Sequence, residues 1–146
     1  MTEFRRLSES MLASPQISLA DVAEAKALGV TLIVNNRPEG ESEDQTPGAA
    51  IEAAAREAGM AYLAIPVTHA GFSHPQVEEL AEALKRTEGA TLGYCRSGTR
   101  STLLWALARA RLGDHPEALA AAAANAGYDL GPVRSAMDAL AAQASG

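Results

Sequence analysis

The chain is poor in cysteine and in aromatic residues. Cys95 is its single cysteine, which excludes a disulfide within the chain and any mechanism that needs two of the chain's own thiols. Two Phe, three Tyr and one Trp among 146 residues imply a core built mainly from Ala, Leu, Val and Ile. We therefore expect a cytoplasmic protein in which Cys95 is either a small buried residue or a reactive thiol.

Clustered positive charge and long apolar runs are also lacking. The formal net charge is −6 and the basic residues are scattered, so there is no electrostatic basis for binding nucleic acid. No run approaches the roughly 20 apolar residues of a membrane span, and no membrane partner is expected. The length of 146 residues suits a single domain, 1–146, with a three-layer core.

Apolar runs alternate with helix-capping residues along the chain and predict an α/β domain. Strands are expected at 4–7, 11–13, 30–35, 60–65 and 90–94. Helices are expected from Ser18 to Gly29, from Thr46 to Gly59, from Ser73 to Arg86, and near 102–108, 118–126 and 132–142. This alternation indicates a mainly parallel central sheet flanked by helices on both faces, with ligands at the carboxyl ends of its strands.

The cysteine lies in the stretch Tyr94-Cys95-Arg96-Ser97-Gly98-Thr99-Arg100-Ser101, between a predicted strand and a predicted helix. Beside a helix N-terminus and a cation, a thiol pKa of ~8.5 can fall to roughly 3.5–7.5. Gly98 allows the loop N–H groups to curl into a nest around an oxyanion. Arg100 offers a planar fork for two of the oxygens.

These properties predict the site residues. Cys95 is expected to be the nucleophile and Arg100 its catalytic cation, and Ser101 is expected to cap the helix and donate to the Cys95 sulfur. The predicted substrate-binding residues of the loop are Arg96, Ser97, Gly98, Thr99 and Ser101. The structural alternative is a buried cysteine followed by a Ser-Gly turn.

A second candidate cluster, Asn35-Asn36-Arg37, follows the predicted strand 30–35. We predict that Asn36 and Arg37 contact the substrate, because a second cation suits a divalent anion. A turn that exposes polar side chains is the alternative. Glu39 and Glu41 are expected to hold Arg37 in place.

The Cys95 loop resembles the active-site loop of rhodanese sulfurtransferases, and its strand-loop-helix frame resembles that of protein tyrosine and dual-specificity phosphatases. The phosphatase signature has one more residue between Cys and Arg than the four found here. With the stretches 16–18 and 34–41, the loop is similar to the small phosphatase-like domain that also occurs fused to beta-lactamase-fold hydrolases. The resemblance covers about 12–112 and implies a phosphatase-like α/β fold.

The proton donor decides which chemistry the sequence favours. In the phosphatases resembled, an Asp upstream of the cysteine is the general acid, but the corresponding stretch 65–74 has His69 and His74 and no carboxylate. Glu41 and Asp44 are the remaining candidates. Sulfur transfer needs no such acid, because sulfite leaves thiosulfate without a proton.

The sequence therefore predicts a sulfurtransferase. Cys95 would take sulfane sulfur from thiosulfate or a persulfide and pass it to a thiol acceptor such as glutathione. The alternatives are a cysteine-dependent phosphatase acting through a phosphocysteine and a noncatalytic module that binds anions or persulfides. No metal or other cofactor is expected, since two imidazoles without further ligands are a weak zinc signal. A sulfur-oxidising partner enzyme is left open.

Overall fold

The structure is a computed structural model that describes residues 3–145. Each predicted strand and helix is present in it. The elements in chain order are β1 (Arg5–Ser8), β2 (Met11–Ser14), α1 (Leu19–Ala27), β3 (Val30–Asn35), α2 (Gly48–Glu57), β4 (Ala61–Ala64), α3 (His74–Arg86), β5 (Ala90–Tyr94), α4 (Thr99–Arg111), α5 (Pro116–Asn125), a 3-10 turn (Gly131–Val133) and α6 (Arg134–Ser145).

The strands form one sheet in the order β1-β2-β5-β3-β4. β1 is antiparallel to β2, and the other neighbouring strands are parallel. Helices α1 and α2 cover one face around Ile33 and Ile51, whereas α3 to α6 cover the other around Leu104. The mainly parallel, three-layer α/β fold is thus confirmed.

Local capping explains why the helices begin where they do. Ser18 with Asp21 and Ser73 with Gln76 form complete capping boxes, which open α1 and α3. At the start of α5, the His115 side chain accepts the free N–H of Glu117. Asp114 pairs with Arg109.

Helix α4 begins three residues earlier than its predicted apolar run. Gly98 is its N-cap, with a left-handed φ of +91°, and no side chain caps the helix. The predicted capping role of Ser101 is therefore wrong, because Ser101 lies inside the first turn. This early start brings Arg100 into the turn that follows the cysteine.

The carboxyl ends of four neighbouring parallel strands position the loops of the site. The Cys95 N–H donates to the Ser14 carbonyl over 3.3 Å, and the Asn36 N–H donates to the Tyr94 carbonyl over 2.8 Å. The Val67 N–H donates to the Asn36 carbonyl over 2.9 Å, which draws in the loop after β4. The ends of β2, β3, β4 and β5 thus converge on one edge. No helix within 3–145 is long and apolar enough to cross a membrane.

Candidate active site

The cysteine sulfur lies at the base of the loop between β5 and α4. Cys95 is 1% exposed, and its Sγ accepts the Gly98 N–H over 3.1 Å. Gly98 is also the N-cap of α4, so the sulfur faces the N-terminal end of that helix. Amide donation and the positive end of the helix dipole both stabilise negative charge at this position.

Arg100 reaches from the first turn of α4 across the loop. Its Nη1 donates to the Val67 carbonyl over 2.7 Å and to Glu41 Oε2 over 2.8 Å, while Nη2 donates to Glu41 Oε1 over 2.9 Å. The hydrogen bond to Glu41 is the main cause that raises the Arg100 pKa, and the Cys95 sulfur also raises it. Arg100 thus interacts with both the Glu41 carboxylate and the Cys95 sulfur.

The two carboxyl groups proposed as alternative acids are held ionised. Hydrogen bonds from Arg100 and then Arg37 lower the pKa of Glu41 to about 2 against the opposing effect of burial. The Ser42 hydroxyl donates to Asp44 Oδ1 over 2.7 Å and lowers the pKa of Asp44. Neither group carries a proton at neutral pH, so neither suits the role of general acid.

Asn36 and Arg37 are buried at the end of β3 and bind other residues of the site. Asn36 is 1% exposed; its Nδ2 donates to the Ile65 carbonyl over 2.9 Å and its Oδ1 accepts the Ser101 hydroxyl over 2.8 Å. Arg37 is also buried, and its Nε donates to Glu41 Oε1 over 2.9 Å. Both side chains therefore bind protein partners in this structure, and their substrate contacts stay a prediction. The Ser101 proton goes to Asn36 and not to the Cys95 sulfur.

Of the two glutamates predicted to hold Arg37, only one does so. Glu41 does hold Arg37. Glu39 instead accepts the Gly48 N–H over 2.8 Å and closes the loop onto the start of α2. A carboxylate at a helix N-terminus satisfies a free N–H, which explains this choice.

The exposed residues of the loop form its rim. Arg96, Ser97 and Thr99 are exposed, and the Ser97 hydroxyl donates to Thr99 Oγ1 over 3.0 Å. His69 and His74 are exposed on the neighbouring stretch after β4. Within 3–145, no group of three or more His, Cys, Asp or Glu side chains could hold a metal ion.

Two supporting residues were missed by sequence reasoning. The Gln16 N–H donates to the Arg96 carbonyl over 3.3 Å, and Gln16 Oε1 accepts Arg37 Nη1 over 3.0 Å. The Tyr128 hydroxyl donates to the Ser97 carbonyl over 3.1 Å. No local pattern identifies them, because the contacts span 21 positions from Gln16 to Arg37 and 31 from Ser97 to Tyr128.

Replacing Gly98 with alanine is expected to destabilise the protein more than the same change at Gly113. Both glycines have positive φ, +91° and +103°, so each alanine carries a left-handed penalty of about 1–2 kcal/mol. A methyl group on Gly98 also collides with the Tyr128 hydroxyl, whereas at Gly113 the nearest atom is 4.0 Å away. We expect Gly98→Ala to cost at least about 1 kcal/mol more in denaturant unfolding. Equal losses in the two variants would contradict the collision.

Solved structures place this geometry in a known fold. The structure of a kinase-associated phosphatase whose catalytic-site cysteine is replaced by serine aligns with a TM-score of 0.74 and 17% identity, covering 99% of this chain and 96% of that one. The fold is that of the protein tyrosine and dual-specificity phosphatases.

The sequence comparison defines the family. Residues 3–112 match the family described as "Beta-lactamase hydrolase-like protein, phosphatase-like domain", and the chain belongs to it. A candidate phosphatase of solved structure from Neisseria meningitidis is 33% identical, with a TM-score of 0.79 and coverage of 93% of this chain and 96% of that one. A beta-lactamase hydrolase-like protein of Xylella fastidiosa strain Temecula1 is 35% identical over 129 residues, 86% of this chain. The chain spans only 29% of that relative's length.

Proposed function

We propose that the chain is a cysteine-dependent phosphatase in which Cys95 forms a phosphocysteine. The observation that carries this proposal is the placement of the Cys95 sulfur beside Arg100 at the start of α4, with the Gly98 amide directed at the sulfur over 3.1 Å. A thiol, a helix N-terminus and a cation around one point suit attack on the phosphorus of a phosphate ester. The phosphatase-like family and fold support the same chemistry.

The proposed reaction has two steps. The Cys95 thiolate forms an S–P bond while the P–O bond to the leaving group breaks, and the leaving oxygen keeps the electron pair. The oxygen of a water molecule then forms a P–O bond as the P–S bond breaks, and the sulfur keeps the electron pair as a thiolate. One proton of that water passes to solvent, and the other leaves with the inorganic phosphate. Arg100 and the loop N–H groups stabilise the negative charge of the phosphoryl oxygens in both steps.

The ionised carboxylates limit the leaving group. Glu41, with a pKa of about 2, has no proton to give at neutral pH. A leaving oxygen of low basicity departs without one, so phosphate esters of acidic alcohols such as phenols are the proposed substrate class. Esters of simple alkyl alcohols are expected to react far more slowly.

A sulfurtransferase is the second candidate, and a specific observation favours it. Four residues separate Cys95 from Arg100, as in the rhodanese loop, and sulfite needs no proton to leave. In this case Cys95 carries a persulfide that a thiol such as glutathione removes. The family and the solved structures favour phosphoryl chemistry, so sulfur transfer, placed first on sequence grounds, becomes the second candidate.

Parallel incubation with an aryl phosphate and with thiosulfate tests the proposal. We expect release of inorganic phosphate from 4-nitrophenyl phosphate, and a phosphorylated protein in intact-mass spectra after rapid acid quench. A mass increase of one sulfur atom with thiosulfate, removed by glutathione, together with no phosphate release, would instead establish the sulfurtransferase. A protein without Cys95-dependent turnover of either compound would contradict both candidates.

A further inference from the structure

Glu41 joins the two buried or half-buried arginines of the site. Its Oε1 accepts Arg37 Nε and Arg100 Nη2, both over 2.9 Å, and its Oε2 accepts Arg100 Nη1 over 2.8 Å. A carboxylate that receives a paired set of bonds from a guanidinium fixes both the position and the plane of that group. Glu41 therefore determines how Arg100 is presented to the loop.

The carboxylate occupies only one edge of the guanidinium. Glu41 binds the edge formed by Nη1 and Nη2, and the Val67 carbonyl takes the other hydrogen of Nη1. Among residues 3–145, no oxygen pairs with the second edge, formed by Nε and the other hydrogen of Nη2. The Arg100 side chain also interacts with the Cys95 sulfur. A substrate oxyanion on Cys95 can thus bind the second edge while Glu41 stays in place.

Arg37 and Gln45 fix the position of Glu41. Arg37 is 5% exposed, and its Nη1 and Nη2 donate to Gln16 Oε1 and Ser42 Oγ over 3.0 and 3.1 Å. The Glu41 N–H donates to Gln45 Oε1 over 2.9 Å. These contacts fix both the backbone and the side chain of Glu41, so its position does not depend on a substrate.

We propose that Glu41 is a positioning residue that fixes Arg100 with its Nε and Nη2 edge toward an oxyanion at Cys95. This inference deepens the proposed function and rests on it for the identity of the oxyanion as a phosphoryl group. It assigns to the 35–48 loop a role in catalysis through Arg100, without substrate contact. In the competing role, the Glu41 carboxylate itself fills the anion site and inhibits substrate binding; our proposal excludes that role.

Tungstate binding and turnover of Glu41→Gln test the proposal, with Glu43→Gln as the matched control. Glu43 is exposed on the same loop, so the control removes the same charge without the contact. We expect Glu41→Gln to weaken tungstate binding at least 10-fold by calorimetry. We also expect it to lower kcat/KM for 4-nitrophenyl phosphate on the order of 10²-fold, because a misplaced catalytic group costs about that much. Glu43→Gln should stay within about twofold in both.

The direction of the change in tungstate affinity decides whether Glu41 positions Arg100 or competes with the anion. Tighter tungstate binding by Glu41→Gln would show that the carboxylate competes with the anion, and unchanged binding would show that it does not position Arg100. Either result overturns the inference. Glu41→Asp keeps the charge and serves if the glutamine variant does not fold. Its shorter side chain cannot keep all three bonds, so we expect intermediate weakening of tungstate binding, and binding equal to wild type would also overturn the inference.

Binding and turnover separate this inference from the proposed function. Weakened tungstate binding in Glu41→Gln, in a protein whose wild type hydrolyses no phosphate ester, would contradict the phosphatase and leave the positioning role standing. Normal wild-type hydrolysis with an unaffected Glu41→Gln would contradict the positioning role alone.

Discussion

Replacing Cys95 with serine is expected to lower the turnover of 4-nitrophenyl phosphate by about 10⁴-fold or more. Removal of an enzyme's nucleophile has effects of this order or larger, because the remaining groups bind the substrate but form no covalent intermediate. A serine hydroxyl keeps its proton at neutral pH and is a far weaker nucleophile than cysteine. The measurement is the single-turnover rate constant with enzyme in excess, with intact mass to detect the phosphocysteine.

The fold of the serine variant should be unchanged, which makes the test clean. Cys95 is buried, and serine is close to it in volume, so the denaturant midpoint should shift little. Tungstate should still bind, because Arg100 and the loop N–H groups remain. Turnover by Cys95→Ser within about tenfold of wild type would exclude Cys95 as the nucleophile.

Replacing Arg100 with lysine is expected to lower kcat/KM by about 10²–10³-fold, the usual loss when one preorganised donor to a developing negative charge is removed. An ammonium group cannot pair with Glu41 through one edge and offer a second planar edge to the substrate. It also lacks the second nitrogen that completes the paired bonds to Glu41. The measurement is a steady-state comparison of kcat and KM with the same aryl phosphate.

Arg56→Lys is the matched control for that substitution. Arg56 pairs with Glu52 on the exposed face of α2, and exposed pairs of this kind contribute well under about 1 kcal/mol. The control should therefore leave both turnover and stability near wild type. Equal activity of Arg100→Lys and Arg56→Lys would contradict the assignment of Arg100 as the catalytic cation.

The fold could be predicted largely because its signals are local. Ser73 and Gln76 lie three positions apart, and their reciprocal hydrogen bonds fix the start of α3 without help from distant residues. The apolar run 30–35 coincides with β3 and the run 90–94 with β5, since buried parallel strands require continuous apolar residues. The start of α4 was placed too late because a left-handed Gly98 replaced the expected side-chain cap.

The protein partners of the supporting residues could not be predicted from the sequence. Asn36 and Arg37 lie at the end of β3, as predicted. Their side chains, however, find protein partners across the loops, Ile65 and Ser101 for Asn36 and Gln16 for Arg37. A buried polar group takes whichever partner the packing brings near, and no local rule names that partner.

The sequence by itself determined the Cys95 loop, because Cys95, Gly98 and Arg100 lie within six positions where a strand ends and a helix begins. Backbone geometry over so short a span follows from local conformational preferences. Only the tertiary structure decided which distant side chain binds Arg100. Glu41 meets Arg100 across 59 positions of sequence, since parallel strands bring distant loops to the same edge of the sheet. This contact keeps Glu41 ionised, so Glu41 cannot donate a proton. It also directs Arg100 toward Cys95.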